Sequence, residues 1–409
     1  MLPRVGILHI IVAGAAVLVG CSDPGTNASD AGAADASTPD TPPIDAPVPK
    51  KLTFQGVGSG GIFDPSLARD PATGTLWMSY SAVNASPMFP LANKIAANTR
   101  LASSSDGGET WVDAGAVNQI SDVDLPLAPP LNAGTWMNEV STLVHDPSAA
   151  PGQRWKLMWQ TFLKINGQPR YEHSWIALKM AATPEGLAAA PTTKLFTSFL
   201  YDTGNSSPAG ATVPPLPTTP AIQIDTAVPQ LATCIVGEPS LYATAGTLYL
   251  SLQCEQFNDP GNATDNDRLI TLLSCASPCN VTDPGSWTFV ARLFDRATSA
   301  AVEPAFDGGY AAPALAETAT GVYLLVTPTD DPDALYRGCR AFEFANLATG
   351  TLESSAGAPV ITMSIDGSTA DKFNGACAYL AGSASGIMHS ELSALVDGEF
   401  QIFFTRRTL

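Results

Sequence analysis

Acidic residues recur at one position of a hairpin pattern that repeats along the chain. Each copy has an apolar strand, a polar turn and a second apolar strand, and the copies begin at Asp64, Glu139, Glu238, Ala312 and Glu391. Carboxyl groups that are brought together split their pKa values, because close like charges cannot all ionise. A protonated carboxyl beside an ionised one is what general acid–base catalysis requires. The alternative is that these acids occupy turn positions and bind backbone amides there.

The spacing of these copies predicts the elements that would position the acids. The copies start 75, 99, 74 and 79 residues apart, with a second hairpin between most of them. Each repeat is therefore interpreted as a four-stranded antiparallel sheet, and five such sheets arranged radially form an all-β, five-bladed β-propeller. We expect the first strand of each blade to line the central axis. The alternative fold is a β-sandwich or two separate all-β domains.

Two details of this repeat remain open in the sequence. In the second and fifth copies the leucine of the first strand comes one residue later than in the other copies that have it, so the register of these two copies is open by one residue. The chain ends after the second strand of the fifth copy. We therefore expect the fifth blade to borrow strands, from Leu52–Gln55 at the start of the domain and from around Ala376–Leu380.

Composition excludes several classes of protein. The 409 residues are 45% hydrophobic and 14% charged, and the net charge is −18. An acidic chain lacks the basic face that phosphate binding needs, so no nucleic-acid partner is expected. The 34 glycines and 34 prolines favour many short strands and turns.

The N-terminus has the pattern of an exported protein. Residues 1–20 place Arg4 before an apolar run that is too short to span a bilayer, which is typical of a signal peptide. The sequence Leu18-Val19-Gly20-Cys21 resembles the lipobox of bacterial lipoproteins, and this resemblance implies lipidation of Cys21 and a membrane anchor. The alternative is an ordinary secretory signal with an incidental cysteine.

The resemblance to lipoproteins also implies a location and a domain organisation. Ser22 after the cysteine is compatible with the outer membrane, so we expect a periplasmic or cell-surface lipoprotein. Residues 21–50 are rich in Ala, Pro and Asp and contain no aromatic residue, which predicts a disordered tether. Residues 51–409 would then be the propeller domain, which we expect to be monomeric.

Six further cysteines form an even set, as expected for disulfides in an exported domain. The first two are symmetric about a predicted turn at residue 244, the next two flank a short turn, and two remain. The sequence contains no paired CxxC motifs that would indicate a metal site. The expected pairs are Cys234–Cys254, Cys275–Cys279 and Cys339–Cys377.

The segment Ser104–Trp111 has the pattern S-x-D-x-G-x-T-W and resembles the Asp-box of sialidases and related propellers. The motif is not catalytic in those families and marks a hairpin of the fold. It raises the alternative of a sialidase-like exoglycosidase. A sialidase would require three arginines that bind the substrate carboxylate, a Tyr/Glu nucleophile and six blades. No motif in this chain identifies three such arginines.

The first and third repeats resemble a family of enzymes. Asp64 in Phe63-Asp64-Pro65 and Glu238 in Gly237-Glu238-Pro239 resemble the motifs of five-bladed glycoside hydrolases of the arabinanase, xylosidase and fructosidase type. The resemblance implies that Asp64 is the base, that Glu238 is the general acid and that Glu139 tunes their pKa values, although that family has Asp at the second position. For arabinanase-like relatives it implies inversion, with carboxyl groups roughly 6.5–9.5 Å apart.

Three further residues are candidates for binding substrate. His389 and Glu391 are two residues apart, so on a strand they share a face, and both could reach the axis. Some arabinanase-like enzymes place a histidine beside a cation at this point, which suggests Ca²⁺ at the axis. Trp136 lies three residues before Glu139 and could stack on a sugar ring. The alternatives are a structural histidine and a tryptophan of the core.

Two functions follow from these patterns. The first is a surface-anchored glycoside hydrolase-like propeller that acts on a carbohydrate through paired carboxyl groups. The second is a non-catalytic propeller that binds glycan or protein. An open pocket shared by Asp64, Glu139 and Glu238 at one end of the axis would favour the enzyme, whereas acids that point apart or are sealed by hydrophobic residues would contradict it.

Overall fold

Over the residues that it describes, the computed structural model consists of five mainly antiparallel sheets, one separate two-stranded hairpin and two short α-helices. The predicted leader, Cys21 and the tether up to residue 48 lie outside the described residues. Within the part of the chain that is described, no helix is long and apolar enough to cross a membrane. The described residues are 49–56, 61–85, 95–125, 132–165, 168–198, 222–257, 266–330, 335–367, 373–382, 385–392 and 400–409.

The described chain begins with a short strand, β1 (Lys50–Lys51), which pairs with the last strand of the chain and is not part of the first blade. The first blade contains β2 (Thr53–Gln55), β3 (Ile62–Arg69), β4 (Leu76–Ala85), β5 (Ile95–Ser104) and β6 (Thr110–Ala116). The second blade contains β7 (Ser121–Asp124), β8 (Ala133–His145), β9 (Trp155–Ile165), β10 (Gln168–Ala181), β11 (Thr193–Thr197) and β12 (Ile222–Gln223). The innermost strands are β3 and β8; β2 pairs in parallel with β6, and β7 pairs with the start of β8.

The remaining three blades follow the same order from the axis outward. The third follows the helix α1 (Ile224–Ala227) and contains β13 (Cys234–Ala243), β14 (Thr247–Phe257), β15 (Asn266–Ala276) and β16 (Thr288–Phe294). After α2 (Arg296–Val302), the fourth contains β17 (Tyr310–Glu317), β18 (Val322–Asp330), β19 (Leu335–Tyr336), β20 (Gly338–Asn346), β21 (Thr351–Leu352) and β24 (Ile361–Asp366). The separate hairpin is β22 (Ser354–Ser355) with β23 (Ala358–Pro359), and the fifth blade contains β25 (Asn374–Leu380), β26 (Gly386–Leu392) and β27 (Phe400–Thr405).

The five innermost strands, β3, β8, β13, β17 and β25, contact one another in a closed circle. The strand β1 pairs with β27, so the start of the folded chain completes the last blade. These observations confirm the predicted five-bladed β-propeller. Closure joins the two ends of the domain and leaves short sheet edges only.

The strand alternation explains how the blades pack. Successive side chains of a strand point to opposite faces, and both faces of a blade meet a neighbouring blade. In β4, Trp77 packs with Leu157 of the second blade, whereas Met78 packs with Met388 of the fifth. Burying both faces explains why the strands of this chain are richer in apolar residues than those of a sheet with one solvated face.

The turn between β5 and β6 has the geometry that its residues favour. The carboxylate of Asp106 accepts hydrogen bonds from Ser104 Oγ at 2.7 Å and from the N–H of Thr110 at 3.0 Å. Gly107 and Gly108 have positive φ angles, which glycine adopts at little cost. The indole of Trp111 is fully buried.

All three expected disulfides are present. Their Cα atoms are 5.5 Å, 5.4 Å and 6.0 Å apart for Cys234–Cys254, Cys275–Cys279 and Cys339–Cys377. The first two link neighbouring positions of the third blade. The last links β20 of the fourth blade to β25 of the fifth across 38 residues, and cross-links of this loop length contribute about 4 kcal/mol.

Each innermost strand has one residue in the left-handed backbone region, at the same point of the blade. A non-glycine residue pays about 1–2 kcal/mol for this conformation, and at each point a β-bulge interrupts the pairing with the next strand. Recurrence in five blades indicates that the architecture imposes the conformation. The residues, with φ between 48° and 53°, are Asp64, Val140, Glu238, Ala312 and Ala376.

These bulges bind each blade to the one before it. The backbone N–H of every left-handed residue donates to a polar side chain on the second strand of the preceding blade, and the ring closes from the fifth blade to the first. The acceptors are Ser390 for Asp64, Ser81 for Val140, Gln160 for Glu238, Gln253 for Ala312 and Thr327 for Ala376, at 2.9–3.3 Å.

The strand order of the fifth blade corrects two sequence predictions. The predicted start of the fifth repeat at Glu391 is wrong by one strand, because the innermost strand is β25 and Glu391 lies in β26. The prediction that residues 376–380 are borrowed is confirmed, but the outer strand comes from Lys50–Lys51, whereas Thr53–Gln55 pairs in the first blade. Successive strands of a blade share the same pattern of apolar strand, polar turn and apolar strand. The pattern alone therefore does not identify which strand is innermost.

Candidate active site

Asp64, Glu139 and Glu238 lie at or next to the bulges of three innermost strands, from three successive blades. They are 6%, 2% and 2% exposed. The charges of Glu139 and Glu238 both act on Asp64, and that of Glu238 acts on Glu139. The structure thus brings together the three residues that the sequence singled out.

Asp64 sits on the bulge of β3. Its carboxylate accepts a hydrogen bond from Ser81 Oγ at 3.0 Å. Burial raises the pKa of Asp64 well above its usual range, Glu139 and Glu238 raise it further, and the hydroxyl of Ser81 and the N–H of Val140 oppose this. Ser81 also accepts the N–H of Val140, so one hydroxyl connects the acid of the first blade to the bulge of the second.

Glu139 is displaced by one residue from the equivalent position. The left-handed residue of β8 is Val140, so Val140 is the counterpart of Asp64 and Glu238, and the expected equivalence of Glu139 is wrong by one. Its carboxyl is nevertheless directed into the same group. Burial raises the pKa of Glu139 to about 8, the charge of Lys164 on β9 opposes this, and Glu238 adds to it.

Glu238 is held by two hydrogen bonds from the fourth blade. Tyr336 Oη donates to Oε1 at 2.7 Å, and the N–H of Ala312 donates to Oε2 at 2.6 Å. Burial raises the pKa of Glu238, whereas these two donors and the charge of Arg268 oppose the shift. Arg268 itself pairs with Glu255 at 2.6 Å.

Aromatic side chains surround the three carboxyl groups, and we call this volume the carboxyl chamber. Tyr336 stacks on Phe373 with ring centroids 4.4 Å apart, and Phe63 lies 4.9 Å from Phe400. The pKa of Tyr171 is raised by burial and by the charges of all three acids. A low dielectric strengthens each electrostatic interaction within the chamber.

Sequence reasoning missed the tyrosines, Lys164 and Ser81. Tyr171 and Tyr336 lie on strands outside the innermost set, and neither belongs to a repeated motif. The only signal for Ser81 is its position on the second strand, opposite the residue that precedes the left-handed residue. Four residues share this position in the other blades: Gln160, Gln253, Thr327 and Ser390.

The three predicted binding residues lie apart from the carboxyl chamber. Trp136 is half-buried and packs on Trp175, with ring centroids 4.7 Å apart. His389 and Glu391 share a face of β26 as expected, with Nδ1 and Oε1 4.0 Å apart. His389 is fully buried and its Nε2 lies 3.2 Å from Thr405 Oγ1, while Glu391 accepts a hydrogen bond from Asn374.

The residues that the structure describes include no group of three or more His, Cys, Asp or Glu side chains that could hold a metal ion. His389 Nδ1 has no hydrogen-bond partner there, but Ca²⁺ prefers several oxygen ligands, and no such group accompanies this nitrogen among the described residues. The residues therefore do not fit the Ca²⁺ suggested for the axis, and no step below depends on a cation.

The chamber can hold a proton on one carboxyl and a negative charge on another, because the three acids titrate as a coupled set. The three acids act on one another electrostatically, as expected for side chains that converge, whereas all three are buried rather than set in an open pocket. The mutual interaction of the acids favours an enzyme, and their burial favours a binding protein.

No protein-family model matches the sequence, and no curated protein matches it. Solved structures with a similar course of the chain include a GH43 endo-arabinanase from Bacillus licheniformis, with 13% identity, 87% of this chain and 96% of that chain covered and a TM-score of 0.47. A GH32 β-fructofuranosidase from Bombyx mori has 12% identity, coverage of 87% and 61% and a TM-score of 0.46. An arabinanase from Bacillus subtilis has 10% identity, coverage of 86% and 95% and a TM-score of 0.43.

Proposed function

We propose that the propeller hydrolyses glycosidic bonds, with Glu238 as general acid, Asp64 as general base and Glu139 as the residue that sets their protonation. The observation that carries this proposal is the convergence of three buried carboxyl groups from three blades, each with a raised pKa. A carboxyl with a raised pKa keeps its proton near neutral pH and can donate it to a leaving oxygen.

In this mechanism the three acids share their protons. Glu238 protonates the glycosidic oxygen while ionised Asp64 removes a proton from water. Glu238 is then ionised and Asp64 protonated, and proton exchange among the three acids restores the starting state. Ser81 and the N–H of Val140 stabilise the charge on Asp64. The partly protonated Glu139 limits the total negative charge of the set.

Aryl glycosides with different leaving groups test this assignment. Glu238→Gln should lose most activity on phenyl glycosides, whose leaving oxygen needs a proton, and keep activity on dinitrophenyl glycosides, whose leaving group does not. Asp64→Asn should lose both. Glu185→Gln, which changes an exposed glutamate of the second blade, is the matched control. Unchanged turnover of phenyl glycosides by Glu238→Gln would remove Glu238 from this role.

A non-catalytic glycan- or protein-binding propeller is the second candidate. It is favoured by the near-complete burial of the three acids and by the hydrogen bonds that Glu238 accepts from Ala312 and Tyr336, which favour its charged form. Glycan binding by the wild type without turnover of any glycoside would support this function.

We also propose that the chain is a lipoprotein anchored through Cys21, with the outer membrane as its site. The support is the sequence Leu18-Val19-Gly20-Cys21 after a short apolar run. Cys21→Ser should move the protein from the membrane fraction to the soluble fraction and abolish incorporation of labelled palmitate. Membrane association of Cys21→Ser would overturn the anchor.

A further inference from the structure

Two basic side chains of the second blade have buried nitrogen atoms without a hydrogen-bond partner in the described structure. They are Nε of Arg170 and Nε2 of His173. A buried polar group without a partner costs about 1–3 kcal/mol. Two such atoms from neighbouring side chains indicate an acceptor that binding supplies.

A three-residue bulge in β10 follows Arg170 directly, contains His173 and carries Tyr171, which belongs to the wall of the carboxyl chamber. In the pairing of β10 with β9, Arg170 is opposite Leu163 and Ser174 is opposite Phe162, so residues 171–173 have no partner on β9. Bulges of this kind redirect side chains and occur next to active sites. Tyr171 from this bulge packs on Phe162, with ring centroids 4.7 Å apart, and forms part of the chamber wall.

The guanidinium charge of Arg170 has no carboxylate partner among the described residues, unlike the charges of three other basic side chains of the chain. Lys156 pairs with Asp146, Arg268 with Glu255 and Arg340 with Glu303. No ion pair to Arg170 or His173 occurs among the residues described. The Nε of Arg170 is the buried part of this guanidinium group that lacks an acceptor, and an oxyanion would supply one.

We propose that Arg170 and His173 form a subsite for the carboxylate or sulfate group of an acidic sugar, next to the carboxyl chamber. This inference rests on the proposed glycoside hydrolase function and names its substrate class. The guanidinium group binds planar oxyanions through paired N–H donors, and the imidazole supplies a further donor. Lys164 on the adjacent strand β9 adds positive charge on the side of Glu139.

Binding of matched oligosaccharides tests the subsite without requiring turnover. We would measure by calorimetry the affinity for an oligogalacturonide and for its neutral methyl ester, and for a sulfated galactan oligosaccharide and its desulfated form. The acidic member of one pair should bind about tenfold to hundredfold more tightly, the difference made by one hydrogen-bonded charge pair. The pair that shows the preference identifies carboxylate or sulfate.

Variants locate the preference. Arg170→Gln should reduce the affinity for the acidic oligosaccharide to that for its neutral form and leave the neutral affinity unchanged. Arg154→Gln, at an exposed arginine of the same blade, is the matched control and should retain the preference. Equal affinity for acidic and neutral members in the wild type, or a preference unchanged in Arg170→Gln, would overturn the subsite.

The wild-type protein provides a second readout if Arg170→Gln does not fold. The acidic oligosaccharide should shift the ring signals of His173 in NMR spectra and leave those of His145 and His389 in place. An acidic ligand that binds without shifting His173 would contradict the proposal. Turnover of neutral glycosides with no acidic preference would refute the subsite alone, whereas selective binding without turnover would refute the hydrolase alone.

Discussion

The carboxylate of Glu238 accepts the backbone N–H of Ala312 at 2.6 Å, so the residue proposed as the general acid also links the third blade to the fourth. The same N–H lies 3.3 Å from Gln253 Oε1, its partner in the ring of bulge contacts. The proposed catalytic group and the closure of the propeller therefore share one donor, and substitutions at Glu238 affect both.

Stability measurements separate these two roles. Glu238→Ala should lower the free energy of unfolding by about 1–3 kcal/mol, because the hydroxyl of Tyr336 loses its buried acceptor and the N–H of Ala312 retains only Gln253. Glu238→Gln retains a carbonyl oxygen and should lose much less stability while it loses acid catalysis. Denaturant unfolding near pH 4, where the acids are protonated, checks this. Equal losses in both variants would show that the hydrogen bonds from Ala312 and Tyr336 to this side chain contribute nothing to the free energy of unfolding.

The raised pKa of Glu139 predicts how stability depends on pH. Below the usual glutamate pKa both the folded and unfolded forms are protonated; as the pH rises towards 8 only the unfolded chain ionises, so stability falls. A shift to about 8 corresponds to a loss on the order of 5 kcal/mol across that range. Glu139→Gln should remove this loss and be more stable than the wild type at pH 8.

Its control is Glu185→Gln, which removes an exposed acid from the same blade. That variant should follow the wild-type curve of unfolding free energy between pH 4 and pH 8. If Glu139→Gln is no more stable than the wild type at pH 8, Glu139 is ionised in the folded protein and the assigned role in proton sharing is wrong.

Tyr336 should set the basic limb of the pH–rate profile. Its hydroxyl donates to Glu238 Oε1 and stabilises the ionised form, so Tyr336→Phe should raise the pKa of Glu238 and shift the basic limb of kcat/KM upward by about one pH unit. Tyr80→Phe is the matched control, because Tyr80 donates to the remote carboxylate of Asp113. A downward shift, or the same shift in both variants, would contradict this role.

The sequence predicted those parts of the site that repeat. Asp64 and Glu238 stand at equivalent bulges, and the motif with proline and serine after the acid identifies both. The same motif fails for Glu391, because the fifth inner strand carries Ala376 and Cys377 at the corresponding places. A pattern of turns and apolar strands fixes the number of blades, since each blade must bury both faces, but does not fix which strand is innermost.

Other parts of the site depend on contacts between blades and leave no local signal. Tyr336 reaches Glu238 across the boundary between the fourth and third blades, 98 residues apart in the chain. Tyr171 reaches the carboxyl chamber only because a bulge redirects it. The polar second-strand residues such as Ser81 and Ser390 have meaning only beside the bulge of the next blade.

The ring of bulge contacts makes a final prediction at the closure of the propeller. Ser390 Oγ accepts the N–H of Asp64 at 2.9 Å and thereby joins the fifth blade to the first. Ser390→Ala would leave this buried N–H without its acceptor, so the free energy of unfolding should fall by about 1–3 kcal/mol.

Ser79 on β4 is the matched control, because its hydroxyl is equally buried and has no hydrogen-bond partner among the described residues. Removing an unpartnered buried hydroxyl relieves its desolvation cost, so Ser79→Ala should keep or increase stability. Denaturant unfolding of both variants measures the difference. Because the two substitutions delete the same atom from equally buried sites, equal effects would mean that the contact between Ser390 and Asp64 does not hold the ring closed.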